Sequence, residues 1–118
     1  MKDPLSLFLP IHLLTHFDLV QFNELGEVST KQLVYHIQLT EKNTLPKGYN
    51  RSHYESKGFY LEKSIQDFPI RGKAVYLLIK RRRWRNKENG KEIKSDYSFI
   101  AEGSKLTQEL SDFLKGTN

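Results

Sequence analysis

The sequence predicts an α+β fold: a small antiparallel sheet carrying a long basic β-hairpin, with a helix near each end. Three observations predict it. Apolar and polar residues alternate in several short segments, an Asn-Gly pair separates two of them, and apolar residues at helical spacing occur only toward the two ends. With 118 residues the chain suits one domain, expected to span 1–118, and can bury a core without covalent staples.

The first helix is expected over about Leu9–Phe17. Pro10 suits a first-turn position, and Ile11, Leu14 and Phe17 share one face. Leu19–Phe22 and Gln32–Leu39 read as strands around a polar turn at Gly26. In the second, Leu33, Tyr35, Ile37 and Leu39 alternate with Val34, His36 and Gln38. Glu41–Ser52 is a loop marked by Asn43, Pro46, Gly48 and Asn50. Gly58–Ile65 reads as a short strand, and Asp67–Gly72 as a turn built on Pro69 and Gly72.

Lys73–Arg85 is the longest expected strand, with Val75, Leu77 and Ile79 on one face. Asn89-Gly90 is a hairpin turn signal, because both residues tolerate positive φ. Glu92–Ala101 is then the return strand, in which Ile93, Tyr97, Phe99 and Ala101 alternate with polar positions. A two-residue loop places Arg83 opposite Asp96 and Trp84 opposite Ser95. Ser104 is the expected cap of a closing helix whose apolar face is Leu106, Leu110, Phe113 and Leu114.

The net charge of +5 is unevenly spread. Between Arg71 and Lys94 ten basic residues face only Glu88 and Glu92, leaving about +8 there and about −3 in the rest. Such asymmetry points to a polyanionic partner. The candidate contacts are Arg71, Lys73, Lys80, Arg81, Arg82, Arg83, Trp84, Arg85 and Lys87. Successive strand residues point to opposite faces, so the run Lys80–Arg85 projects charge on both sides and reads as an arm beyond the core. A two-stranded ribbon fits the major groove of duplex DNA, and arginine forks suit phosphates and guanine edges. Trp84 either stacks on a base or packs at the hairpin's foot. The bland reading of the whole run is a solvated edge strand protected by its charge.

Other chemistry is sparse. The chain contains no cysteine, which removes disulfides and thiolate metal sites. His12 and His16 stand four residues apart, but no further ligand completes a site; His36 and His53 are isolated. No phosphate-binding glycine loop, nucleophile elbow or paired acid and base is legible. No cofactor and no small-molecule substrate are expected. The longest apolar run, near Leu5–Leu14, is too short to span a bilayer, and no signal peptide is read. A cytoplasmic location with no membrane partner is the expectation.

The run Ser64-Ile65-Gln66-Asp67-Phe68-Pro69-Ile70-Arg71-Gly72-Lys73-Ala74-Val75-Tyr76-Leu77, continuing into Lys80–Trp84, resembles the N-terminal region of the ISAon-type insertion-sequence transposases of Bacteroidetes. Glu41-Lys42-Asn43, Glu55-Ser56-Lys57-Gly58-Phe59 and Gly103–Glu109 before Phe113-Leu114-Lys115 agree with it, so the resemblance covers about Leu9–Lys115. That family is in turn similar to the ISL-type transposases, which carry a zinc ribbon with an Arg-Arg-aromatic-x-Cys run. Here Asn86 follows Arg83-Trp84-Arg85, so the resemblance implies a ribbon-like hairpin that folds without metal. It also implies a non-catalytic DNA-binding region or accessory subunit that recognises transposon-end DNA. It further implies that the catalytic domain is absent from the chain, with the catalytic transposase subunit as a second candidate partner. A small ribonuclease toxin and a protein-interaction module docking that subunit are the alternatives.

Overall fold

The structure, a computed structural model, describes residues 7–95, 97–100 and 105–116. It is α+β, with a helix near each end, as the periodicity predicts. The strands divide between two sheets. β1 (Phe17–Gly26), β2 (Leu33–Glu41), β4 (Lys63–Ile70) and β5 (Lys73–Lys80) form a four-stranded sheet in the order β1-β2-β5-β4. β3 (Tyr54–Phe59), β6 (Arg82–Asn86) and β7 (Glu92–Ile93) form the second, in the order β3-β6-β7. All pairs are antiparallel except β2 with β5, which run parallel and are joined by the excursion through β3 and β4.

The N-terminal helix is shorter than expected. α1 covers only Leu13–His16, because His12 adopts a left-handed φ of 66° and Phe17 is already extended. The buried apolar series is accordingly Leu9, Leu13 and Phe17, while Ile11 is exposed. β1 outruns the expected Leu19–Phe22 at both ends. Gly26 pairs with Leu33 inside the ladder, and the turn lies beyond it, closed by the Glu27 N–H on the Gln32 carbonyl at 2.8 Å.

The expected single strand Gly58–Ile65 is two strands in two sheets. Gly58, at φ 85°, sits in the register break between Ser56 and Phe59, and β4 begins only at Lys63. The expected turn at Asp67–Gly72 is tighter. β4 runs through Pro69 to Ile70, with a register irregularity between Asp67 and Ile70 that accommodates the missing proline N–H. Arg71 and Gly72, at φ 54° and 78°, make the two-residue reversal alone.

The expected strand Lys73–Arg85 breaks at Arg81, where the chain leaves the first sheet and enters the second. Tyr60 crosses at the same level, its N–H donating to the Arg81 carbonyl at 2.8 Å. Buried residues are odd-numbered before the break (Val75, Leu77, Ile79), whereas Trp84 is the buried one after it.

Ile37, Leu39, Ile65, Val75, Leu77 and Ile79 on the large sheet form one buried cluster with Phe17 at the start of β1 and with Leu9, Leu13 and Phe99. Fully burying such side chains contributes roughly 1.5–3 kcal/mol each, so this layer holds the fold together. α2 (Gln108–Lys115) closes the chain. The expected cap Ser104 lies outside the described residues, as do Ala101 and Asp96. The observed cap is Thr107, whose Oγ1 accepts from the Leu110 N–H at 3.3 Å and donates to Asp67 Oδ1 at 2.8 Å. Of the expected helix face, Leu110 is buried, while Phe113 and Leu114 are exposed.

Candidate nucleic-acid interface

The hairpin that was expected to carry the contacts is short. Trp84 pairs with Ile93 and Arg85 with Glu92, a register two residues away from Trp84 opposite Ser95. The cause is Asn86. Its Oδ1 accepts from the N–H groups of Glu88 and Asn89, at 2.9 and 3.2 Å, and its own N–H donates to the Lys91 carbonyl at 2.8 Å. The loop is therefore the four residues between Asn86 and Lys91, with Gly90 at φ 72°, rather than Asn89-Gly90 alone. The Asn86 carboxamide thus organises the turn by hydrogen bonds.

β6 is no free arm. It pairs with β3 along one side, and Trp84 is 1% exposed, so its ring packs inside and offers no face to a base. The Arg51 guanidinium lies 5.9 Å from the ring centroid and reaches on to the Asn43 Oδ1 at 3.2 Å, tying the loop after β2 to the tryptophan.

Most of the arginine run is engaged within the protein. Arg82 donates through its backbone N–H to Glu41 Oε1 at 2.8 Å, through Nε to the Glu41 carbonyl at 3.0 Å, and through its guanidinium to Ser56 at 3.2 Å. The same guanidinium lies 4.7 Å from the Phe59 ring centroid. Arg83 pairs with Glu92, and this pairing holds the Glu92 carboxyl below its ordinary range, chiefly through the hydrogen bond. Arg85 pairs with Glu55 at 3.1 Å, and Lys73 with Glu24 at 2.9 Å. Arg81 lies over the Tyr97 ring at 5.3 Å, its Nε buried and without a hydrogen-bond partner.

What those residues enclose was not read from the sequence. Glu41 is 1% exposed, one carboxylate oxygen taking the Arg82 N–H and the other the Tyr97 hydroxyl. Burial, and then the Glu41 carboxylate, push the Tyr97 phenol far above its usual range. Position parity carried the signal: Glu41 continues the inward series Tyr35, Ile37, Leu39, where an acid needs partners.

The remaining cations of the stretch from Arg71 to Lys94 are exposed. Arg71 stands on the β4–β5 reversal, Lys80 at the end of β5, Lys87 and Lys91 at the hairpin loop, and Lys94 beyond β7, its ammonium 5.4 Å from the Tyr60 ring centroid. None of these five is in an ion pair among the described residues. Of the residues expected to bind, Arg71, Lys80 and Lys87 are thus available; Lys73, Arg82, Arg83 and Arg85 are committed to partners, Arg81 lies over the Tyr97 ring, and Trp84 is core. Lys91 and Lys94 complete the exposed set.

No group of three or more acidic or histidine side chains among the described residues is placed to hold a metal. No helix among them is long and apolar enough to cross a membrane. Compared with family models, curated proteins and solved structures, the chain matches none.

Proposed function

We propose that this chain is a non-catalytic double-stranded DNA-binding module. In line with its sequence resemblance, it acts as the end-recognising N-terminal region or accessory subunit of a cytoplasmic insertion-sequence transposase, with the catalytic transposase subunit as its second partner. The observation that carries the reading is the surplus of exposed cations. After the internal pairs are satisfied, Arg71, Lys80, Lys87, Lys91 and Lys94 keep their charge for an outside partner. The arginines between them position the hairpin rather than touch the duplex. Lysine and arginine on a surface displace phosphate counterions, which makes such binding steeply salt-dependent.

The test is fluorescence anisotropy on a labelled duplex across a salt series. About five phosphate contacts give a log-log slope near −4 to −5. Replacing Lys87, Lys91 and Lys94 together by Ala is expected to flatten that slope by about 3 and to leave the melting temperature unchanged. Affinity that stays level from low to moderate salt would sink the proposal.

A further inference from the structure

A cavity of about 520 Å³ opens where α1, the chain after β2 and the segment after β7 meet. The backbone fixes this junction, since the Lys42 N–H donates to the His16 carbonyl at 2.9 Å. One part of the lining is polar: the basic residues Lys42 and Lys47, with His16 and the hydroxyl-bearing Thr15, Thr44 and Ser95. No carboxylate lines it among the described residues. Asp18, 68% exposed, stands 4.0 Å from the Lys42 ammonium, a weak pair that an entering anion can replace. Glu41 lies beneath Tyr97 with both oxygens engaged.

The other part is apolar, made by Leu45, Pro46 and the Tyr97 ring. That ring is held in place by the Arg81 guanidinium at 5.3 Å and by Phe99 stacked at 5.4 Å. A charged half for an anion beside a fixed apolar wall for a flat ring, in a volume typical of small-molecule sites, selects a ligand with both features. A bare phosphate would leave the wall unused, and a bare base would bring no anion to the two lysines.

We propose that this cavity binds a phosphorylated nucleotide unit, with the phosphate among Lys42, Lys47 and the hydroxyls and the base against Leu45, Pro46 and Tyr97. The unit is either a free mononucleotide or the 5′-phosphorylated end of a strand. The site stands on its own geometry and does not require that the exposed lysines bind duplex DNA.

Titration calorimetry on the full chain tests it, with AMP, adenosine, and a short single-stranded oligonucleotide with and without a 5′-phosphate. Expected is saturable binding of a phosphorylated probe, at least about tenfold tighter than its unphosphorylated counterpart, as charge-assisted hydrogen bonds dictate. Lys42→Ala and Lys47→Ala are each expected to weaken binding by about tenfold, with melting unchanged because both side chains are at the surface. Binding of AMP assigns the free nucleotide; binding of the phosphorylated strand alone assigns the strand end. Equal affinity with and without phosphate, no binding by any probe, or lysine variants that bind as tightly as the parent chain would each overturn the proposal. The Lys87, Lys91 and Lys94 triple variant separates the two surfaces, since it is expected to lose duplex affinity and to keep the nucleotide.

Discussion

At the scale of single residues, a basic side chain reads as a contact in the sequence and proves to be a fastener in the structure. Arg82 satisfies the carbonyl of Glu41, the hydroxyl of Ser56 and the face of Phe59 at once. Arg82→Ala is therefore expected to lower stability by about 1–3 kcal/mol, from lost charged hydrogen bonds and lost packing. Chemical denaturation measures it, and a change within about 0.5 kcal/mol would mean that these bonds contribute nothing. Asp67 gives a pH signature. Burial is the largest cause that raises its pKa, outweighing the hydrogen bonds from the Phe68 backbone and Thr107. The folded chain then keeps this proton to higher pH than the unfolded chain does. Its contribution is complete below the ordinary aspartate range and is lost as pH rises through the raised value. Asp67→Asn keeps an acceptor for Thr107 and removes the buried charge. Its melting temperature is expected to gain on that of the parent chain as pH goes from about 3 to about 7; a variant that falls behind over that interval would refute the assignment.

At the scale of elements, legibility followed periodicity. β2 and β5 were readable because Ile37 and Leu39, and Val75, Leu77 and Ile79, recur at every second position, and their burial is what that spacing encodes. The breaks were not readable. His12, Gly58 and Arg81 end or redirect elements through backbone conformation and sheet exchange, neither of which leaves a periodic trace. The candidate site suffered for the same reason. Exposed charge and paired charge look alike until the partners Glu41, Glu55 and Glu92 are brought in from distant positions. The hairpin loop supplies a further prediction. Gly90 occupies φ 72° with open space where a Cβ would be, so the strain of a branched side chain there is purely conformational. Gly90→Val is expected to cost roughly 1 kcal/mol or more, and Asn86→Ala about as much by releasing two turn amides. Thermal melts of both variants check this, and unchanged midpoints would show the loop to be unimportant to the fold.

At the scale of the whole molecule, the two sheets share one continuous piece of backbone, β5 into β6. Trp84, the sole tryptophan, reports on the second sheet, while most of the extended backbone belongs to the first. Because the sheets are stitched by Arg81, Tyr60 and the Glu41 bonds, they are expected to unfold together. Tryptophan fluorescence and far-ultraviolet dichroism should then give superimposable denaturation curves; separated midpoints would mean that the sheets melt independently. The same strand makes the chain intolerant of any change in length at one point. Deleting or duplicating Arg81 would turn over the side chains of β6, presenting Trp84 to water and sending Arg83 and Arg85 inward. Insertions in the loops that follow β1 or β6 shift no such alternation, because each of those turns is followed by its own pairing. Length variation in chains of this shape is therefore expected to collect at those loops and to avoid the single residue between the sheets.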